Sequence, residues 1–427
     1  MARPVSGPKR HRLSHNVAAS MLTAGSLIAT SLVSVPIIVA SLGTDGFGIW
    51  SLAVAVIVFV STAEAGIGPA VQRFVAVARA EDAGGVIARL AWTSLALYLV
   101  LGVAVLGALQ AAAGPLVDVF DVPTRLADDA RTMFRLIGVA VLLALLVTAL
   151  GNVMQGLERF GSYAVTTAIA AVLFLVAVAV LLGRDEGLVG LAWAAMLQQA
   201  AMLAGRACAL RDVLFGTRPG LISRPQAREI ASFSLRLQAS VLSLLVNTQT
   251  DKVVVGLVAP ATTLGLVAIG SQVAEAGRVV LGAALTPMIS RLSAAHGLGR
   301  AKARDALFER LNRLWVRVVA GGTVIGAAML APLLAGWLGE GYGDAAVYGA
   351  VLVTAYGIGL IPSVVFAYLR AVGRPGLEAR YGLTIIGLNV ALTIPLGLAG
   401  GAVGVVVATA PPASPCLLYT SPSPRDS

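Results

Sequence analysis

Residues 162–183 read SYAVTTAIAAVLFLVAVAVLLG, an apolar stretch without a single charged residue. A helix of this length rises about 33 Å, which is enough to cross the roughly 30 Å hydrocarbon core of a bilayer. Similar stretches recur along the whole chain, so we predict about twelve membrane-spanning helices, the last of them truncated. The predicted spans are residues 16–40, 46–68, 87–112, 132–154, 162–183, 187–209, 230–258, 262–289, 314–338, 346–369, 378–398 and 401 onward.

The composition supports this interpretation. Of 427 residues, 58% are hydrophobic and only 12% are charged, and the mean hydropathy is +0.87. A soluble domain carries about 25% charged residues, so a soluble enzyme or a disordered chain is excluded. Two cysteines make no disulfide framework, and three scattered histidines have no metal-ligand spacing. The predicted fold class is therefore an all-α integral membrane protein.

The distribution of charge predicts the orientation. With the N-terminus inside, the cytoplasmic segments hold most of the Lys and Arg residues, and the outer loops hold only Arg125, Arg131 and Arg184. This agrees with the positive-inside rule, and it explains the net charge of +10 without any nucleic-acid partner. The basic segment 300–313 is predicted to form an amphipathic helix at the inner face.

Two halves of the chain resemble each other. Pro69 and Arg73 align with Pro287 and Arg291 at an offset of 218 residues, and GLVGLAWA from Gly187 aligns with GAVGVVVA further along the chain. Each half contains six predicted helices, an even number, so both halves start on the same side. We therefore predict two parallel six-helix repeats related by an axis along the membrane normal.

This repeat predicts the domain organisation. A basic cytoplasmic tail (1–15) precedes a first six-helix lobe (16–210), a cytoplasmic linker (211–229) and a second lobe (230–415). The Ser/Pro-rich residues 416–427 match the translation of a sequencing-library adapter, so we expect them to be foreign to the protein and the second lobe to be incomplete.

The segment VPIIVASLGTDGFGIWSLAVAVIVFVSTAEAGIGPAVQRFVA (35–76) resembles the start of Wzx-type polysaccharide flippases of the multidrug/oligosaccharidyl-lipid/polysaccharide exporter superfamily. The residues that carry the resemblance are Pro36, the Leu42–Trp50 turn, Gly66-Ile-Gly-Pro69 and Arg73, with Thr250-Asp251-Lys252 in the second half. The resemblance implies two MATE-like lobes around a central cavity that opens alternately to each side. It also implies transport of a polyprenyl-pyrophosphate-linked oligosaccharide across the bacterial cytoplasmic membrane for surface polysaccharide or lipopolysaccharide synthesis. A polysaccharide polymerase and glycosyltransferases are the partners that it implies, besides membrane lipids.

No pattern of an enzyme is present: the sequence has no nucleophile–base pair and no Walker motif. The informative residues are charges in apolar spans, where each costs at least ~2.5–3.5 kcal/mol. A pyrophosphate cargo requires cations, so we predict that Arg236, Lys252 and Arg278 bind it in the cavity and that Arg73 and Arg291 do so at the inner mouth.

Three acidic residues, Glu64, Asp251 and Glu275, are candidates for coupling to a cation or a proton, and no other cofactor is predicted. Alternatives remain for some charges. Glu275 and Arg278 can pair as i,i+3 neighbours, and Arg135 and Arg317 can extend to the nearer interface.

Other functions also remain open at this point. A cation-coupled multidrug exporter or a lipid II flippase of the same superfamily would share the fold. A multidrug exporter is expected to have an acidic and aromatic cavity, and only 6% of this chain is aromatic. A membrane scaffold for a glycan assembly complex is a further alternative, but it has little need for charges in its spans.

Overall fold

The computed structural model describes residues 10–63, 67–81, 83–216, 252–283, 301–371 and 375–409, with single positions at 220, 222, 228 and 285. These residues are almost entirely helical, and none of them lies in a β-strand. The prediction of an all-α fold is therefore confirmed. The first seven helices are α1 Arg10–Ala63, α2 Ile67–Ala80, α3 Gly84–Val119, α4 Ala127–Gly156, α5 Phe160–Leu182, α6 Gly187–Ala209 and α7 Arg211–Phe215. The remaining helices are α8 (252–258), α9 Ala261–Ala283, α10 Ala301–Leu338, α11 Gly343–Leu360, α12 Ser363–Ala371 and α13 Pro375–Ala408.

Nine helical stretches within the described residues are long and apolar enough to cross a membrane. Two of the long helices each cover two predicted spans. α1 is interrupted at Gly43, whose φ of 67° is not helical, and α13 is interrupted in the same way at Gly401, whose φ is 57°. The predicted seventh span (230–258) lies mostly outside the described residues, so the total of twelve helices stays a prediction.

The chain divides into two compact units, residues 1–242 and 243–427. Residues 229–251 lie outside the described part of the chain, and so do 410–427, which include the segment expected to be foreign. The predicted boundaries of the lobes and of the linker therefore stay predictions.

In the N-terminal unit, α4 is the central helix. It packs against α3 and α6, while α5 packs against α6 and α1. More than half of α4 is buried, including Phe134, Leu145 and Met154. Glycines let the helices approach closely: a Cβ atom on Gly138 of α4 would lie 3.0 Å from the Leu106 side chain of α3. This close packing of small residues is typical of membrane bundles, in which lipid is as apolar as the helices themselves.

In the C-terminal unit, α11 packs against both α9 and α10. The predicted amphipathic segment 300–313 continues into the spanning part of α10 as one helix. Protein covers part of the apolar face of this helix, because Leu311 and Trp315 pack against Val364 and Ala367 of α12, whereas Leu314 is 51% exposed. The Trp315 indole also donates a 2.8 Å hydrogen bond to the Leu360 carbonyl.

Backbone conformation agrees with the repeat. Gly187 and Gly401, which are aligned in the two halves of the sequence, both have φ of 57°, where glycine avoids the steric cost of a side chain. Beyond Gly401 the chain folds back on itself, since a Cβ atom on Gly397 would lie 2.9 Å from the Val405 side chain. The last two predicted spans thus form a helical hairpin whose turn lies at Gly401, the residue aligned with Gly187 at the start of α6.

Candidate functional site

Four of the eight residues predicted to act in transport lie in the described part of the chain. Lys252, Glu275 and Arg278 belong to the C-terminal unit, and Arg73 belongs to the N-terminal unit. The other four, Arg236, Arg291, Glu64 and Asp251, lie outside the described residues, and their roles stay predictions.

Arg278 lies half-buried on α9 and faces α11. Its guanidinium carbon is 5.6 Å from the centroid of the Tyr356 ring, within the range of a cation–π interaction. Its Nε atom is buried and has no hydrogen-bond partner among the described residues. Glu275, one turn earlier, is also half-buried and forms no ion pair with Arg278 or with any other described residue. The i,i+3 pairing considered from the sequence is therefore not formed, and both charges are left for another partner.

Lys252 and Arg73 differ in their surroundings. Lys252 is half-buried in the first turn of α8, and no carboxylate in the described ranges pairs with it. Arg73 is exposed on α2, with its guanidinium carbon 5.7 Å from the ring centroid of Phe74. Arg135 and Arg317 are exposed on α4 and on α10, as expected for side chains that extend to an interface.

A buried amide cluster in the N-terminal unit was not predicted. The Gln72 amide of α2 donates hydrogen bonds to Asn152 Oδ1 (3.2 Å) and Gln155 Oε1 (2.7 Å) of α4. Asn152 Nδ2 in turn donates to the Tyr98 hydroxyl of α3 at 3.3 Å. Gly68 makes room for the cluster, because a Cβ atom there would lie 2.7 Å from Asn152 Nδ2. These hydrogen bonds fix the crossing of three helices, since a polar group left unpaired in such a place would be costly.

Arg206 of α6 is a further residue that was not predicted from the sequence. It is only 3% exposed, yet no carboxylate lies beside it in the described part of the unit. Its guanidinium donates a 2.7 Å hydrogen bond to the Val147 carbonyl of α4 and lies 4.2 Å from the ring centroid of Tyr163 on α5. Gly151 provides the space that the guanidinium occupies. From the sequence, Arg206 counts among the cytoplasmic charges, although its position inside the predicted span 187–209 could have marked it as buried.

Ion pairs tie the short loop between α4 and α5 to its neighbours. Arg159 donates two hydrogen bonds to the carboxylate of Asp212, one of them 2.8 Å long, and a third of 2.7 Å to the Ala209 carbonyl. The bonds from Arg159 lower the pKa of the Asp212 carboxyl below its usual range and raise the pKa of Arg159 itself. The adjacent Glu158 pairs with Arg79 of α2 at 2.9 Å. Both pairs therefore hold this end of α4 and α5 in place.

Within the described ranges, no group of three or more His, Cys, Asp or Glu side chains is arranged so that it could hold a metal ion. Among the described residues, Lys252 and Arg278 of the C-terminal unit form no ion pair, and the N-terminal unit holds neutral hydrogen-bonding groups between apolar helices. Groups of these kinds can bind an anionic or polar ligand.

Comparisons with known proteins agree with this description. A family model described as "Polysaccharide biosynthesis protein" matches residues 15–293. No curated protein matches the chain. Among solved structures, the chain is similar to an inward-facing multidrug resistance MATE family transporter of the MOP superfamily, with a TM-score of 0.75 and 16% identity over 90% of this chain and 91% of that one.

Two further structures share the fold. The lipid II flippase MurJ in an inward closed conformation has a TM-score of 0.72 and 10% identity, with 91% of this chain and 84% of that chain covered. A MOP superfamily transporter from Pyrococcus furiosus, whose binding pocket is described as having reverse polarity, has a TM-score of 0.55 and 16% identity, with 91% and 92% covered. The predicted MATE-like fold is confirmed, and the chain is a multi-pass membrane protein.

Proposed function

The chain belongs to the polysaccharide biosynthesis protein family, and on that premise we propose that it moves a polyprenyl-pyrophosphate-linked oligosaccharide across the bacterial cytoplasmic membrane. The transport direction is from the cytoplasmic to the outer leaflet, with the N-terminus inside. The two lobes alternate access to a cavity, and the product serves surface polysaccharide synthesis. A polymerase and glycosyltransferases then act on the same lipid-linked chains.

The state of Arg278 supports this proposal most directly. A cation within an apolar helix is costly, and one that is paired with a carboxylate would have a purely structural explanation. Arg278 instead lies beside Glu275 without pairing with it, and its Nε has no partner among the described residues. A guanidinium with free N–H groups can bind pyrophosphate oxygens through two parallel hydrogen bonds.

The other predicted residues act around this cation. Lys252, from the same unit as Arg278, and Arg236 bind the cargo with it, while Arg73 and Arg291 attract it at the inner mouth. Glu64, Asp251 and Glu275 are the candidates for coupling transport to a cation or a proton as the lobes exchange conformations. Half-buried Glu275 has no described ion-pair partner, which leaves its carboxylate available for such an exchange.

The test uses the full chain in sealed proteoliposomes that contain a fluorescent polyprenyl-pyrophosphate-linked oligosaccharide. A membrane-impermeant quencher reports the fraction of cargo that reaches the other leaflet. Arg278→Val removes the charge, and we expect it to slow transport about tenfold to a hundredfold, since a hydrogen bond to a charged group contributes ~1.5–3 kcal/mol. Arg278→Lys keeps the charge but not the bidentate geometry, so it should be intermediate.

Arg317→Val is the matched control, because Arg317 is an exposed arginine on another span of the same unit. It should transport at the rate of the unmodified chain. Equal rates for the Arg278→Val and Arg317→Val variants would disprove the role of Arg278. Export of cationic dyes by the unmodified chain without movement of the lipid-linked oligosaccharide would instead show a multidrug exporter, and movement of lipid II alone would show a lipid II flippase.

A further inference from the structure

A groove of about 760 Å³ lies between the N-terminal end of α5 and the C-terminal end of α6. Gly161, Ser162 and Thr166 line it from α5, and Gly205 and Cys208 line it from α6. All of these residues belong to the N-terminal unit. The groove is open rather than enclosed, so it is accessible from the surroundings of the helix pair.

Positive charge borders this groove. Arg211, which also lines it, is exposed and forms no ion pair with a described residue. The nearest acidic group in the sequence, Asp212, is already occupied by the two hydrogen bonds from Arg159. The hydroxyl of Ser162 is exposed and is not hydrogen-bonded to any described residue. The groove thus presents one free cation and one free hydroxyl to a ligand.

An apolar ridge leads away from the groove along α5. Val165, Ile169, Val172 and Val176 lie on one face of the helix, and each is at least half exposed, between 51% and 59%. From Val165 to Val176 the helix rises about 16 Å, which is close to half of the roughly 30 Å hydrocarbon core. The ridge therefore has the length of one acyl chain in one leaflet.

We propose that this groove binds an anionic phospholipid of the cytoplasmic leaflet. Its phosphate lies against Arg211 and Ser162, and one acyl chain follows the ridge from Val165 to Val176. The positive-inside rule places this end of α5 at the cytoplasmic surface, where anionic lipids are concentrated and attract basic residues. A soluble anion would gain the contact with Arg211 but nothing from the ridge, which is why the proposal specifies a lipid.

Cys208 supplies a reporter because it is exposed and lines the groove. In the full chain with the substitution Cys416→Ser, it is the single cysteine. We would measure its rate of reaction with an impermeant maleimide in nanodiscs of phosphatidylcholine with increasing amounts of phosphatidylglycerol. Phosphatidylglycerol should slow the reaction severalfold, and native mass spectrometry should find phosphatidylglycerol retained on the chain.

Two substitutions test the site. Arg211→Ala should raise the phosphatidylglycerol content needed for half-maximal protection about fivefold, the effect expected for one basic residue near an anionic surface. Arg184→Ala is the matched control, since Arg184 is an exposed arginine without a described ion-pair partner just beyond the opposite end of α5. It should leave the protection unchanged. Ser162→Trp fills the groove and should abolish the dependence on phosphatidylglycerol.

Comparing half-maximal lipid contents rather than absolute rates removes any direct effect of Arg211 on the reactivity of the thiol. Equal protection by pure phosphatidylcholine, or equal losses in the Arg211→Ala and Arg184→Ala variants, would overturn the proposal. Inorganic phosphate that protects Cys208 as well as phosphatidylglycerol does would also overturn it, because the groove would then be a simple anion site.

Discussion

The close approach of α9 to α11 makes Gly270 one of the most sensitive positions in the C-terminal unit. A Cβ atom on Gly270 would lie 2.7 Å from both the Ala345 carbonyl oxygen and the Gly349 nitrogen, and 2.9 Å from the Gly349 Cα. Ordinary van der Waals contact begins near 3.4 Å, so these atoms would have to move back by about 0.7 Å. They belong to the backbone, which cannot rotate away as a side chain can. Gly270→Ala is therefore expected to push the two helices apart.

Two opposing effects determine how much Gly270→Ala changes the free energy of unfolding. Overpacking a close contact costs about 1–3 kcal/mol, while alanine in place of glycine inside a helix gains up to ~1 kcal/mol. Gly277 lies on the same helix, and a Cβ atom there would meet no heavy atom within 4 Å, so Gly277→Ala receives only the gain. The Gly270→Ala variant should thus be less stable than the Gly277→Ala variant by about 1–3 kcal/mol.

Denaturant titration of the full chain in mixed micelles, followed by circular dichroism, would measure the free energies of unfolding of both variants. The comparison within one helix cancels the change in helix propensity and any general effect of the detergent. If the Gly270→Ala variant were as stable as the Gly277→Ala variant, the close backbone approach of α9 and α11 would be refuted.

Three further predictions concern the ion pairs, the amide cluster and the hairpin. Because Arg159 lowers the pKa of Asp212, the stability that this pair contributes is present above the unfolded aspartate pKa of about 3.9 and is lost as the pH falls through the lower folded value. When the free energy of unfolding is measured as a function of pH, the Asp212→Asn variant should lose less stability on acidification than the unmodified chain does. The difference should be no more than ~1 kcal/mol because the pair is largely exposed. Asn152→Leu removes the hydrogen bonds that Asn152 makes with Gln72 and with Tyr98, so the free energy of unfolding, measured by denaturant titration, should fall by about 1–3 kcal/mol. Gly401→Ala should lower the free energy of unfolding by ~1–2 kcal/mol because Gly401 has a positive φ. Gly400→Ala should not, because Gly400 has no such φ and a Cβ atom there would meet open space. Equal thermal unfolding midpoints for the two variants would contradict the hairpin.

The fold was predictable because membrane insertion imposes a strong and local rule. Every span must be apolar for about 20 residues, so helix positions follow from hydropathy, and α6 begins and ends at the predicted residues 187 and 209. One match of the repeat was detectable because Gly187 and Gly401 both have a positive φ, and this conformation favours glycine at both positions. Local rules of this kind do not depend on how the helices pack.

The candidate site was less predictable because it depends on contacts between helices. Gln72 and Asn152 are uncharged and 80 residues apart, so nothing in the sequence marks them as partners. Arg206 was assigned to the cytoplasm because it is near the end of its span, and only the packing of α4, α5 and α6 shows that its side chain is directed inward. The pairing of Glu275 with Arg278 was allowed by their spacing, but Arg278 faces Tyr356 of α11 instead.

The two halves differ in a way that bears on function. At the offset of 218 residues, Glu275 and Arg278 of α9 correspond to Ile57 and Val60 of α1, which are apolar. The same helix in the first half therefore inserts and packs without either charge, so the fold itself does not require them. Keeping both charges costs several kcal/mol of insertion free energy, and without a mutual ion pair they do not offset that cost. The cation–π contact with Tyr356 offsets part of the cost of Arg278. A ligand or water in a cavity would offset the rest, and the anionic cargo proposed above would do so whenever it contacts Arg278.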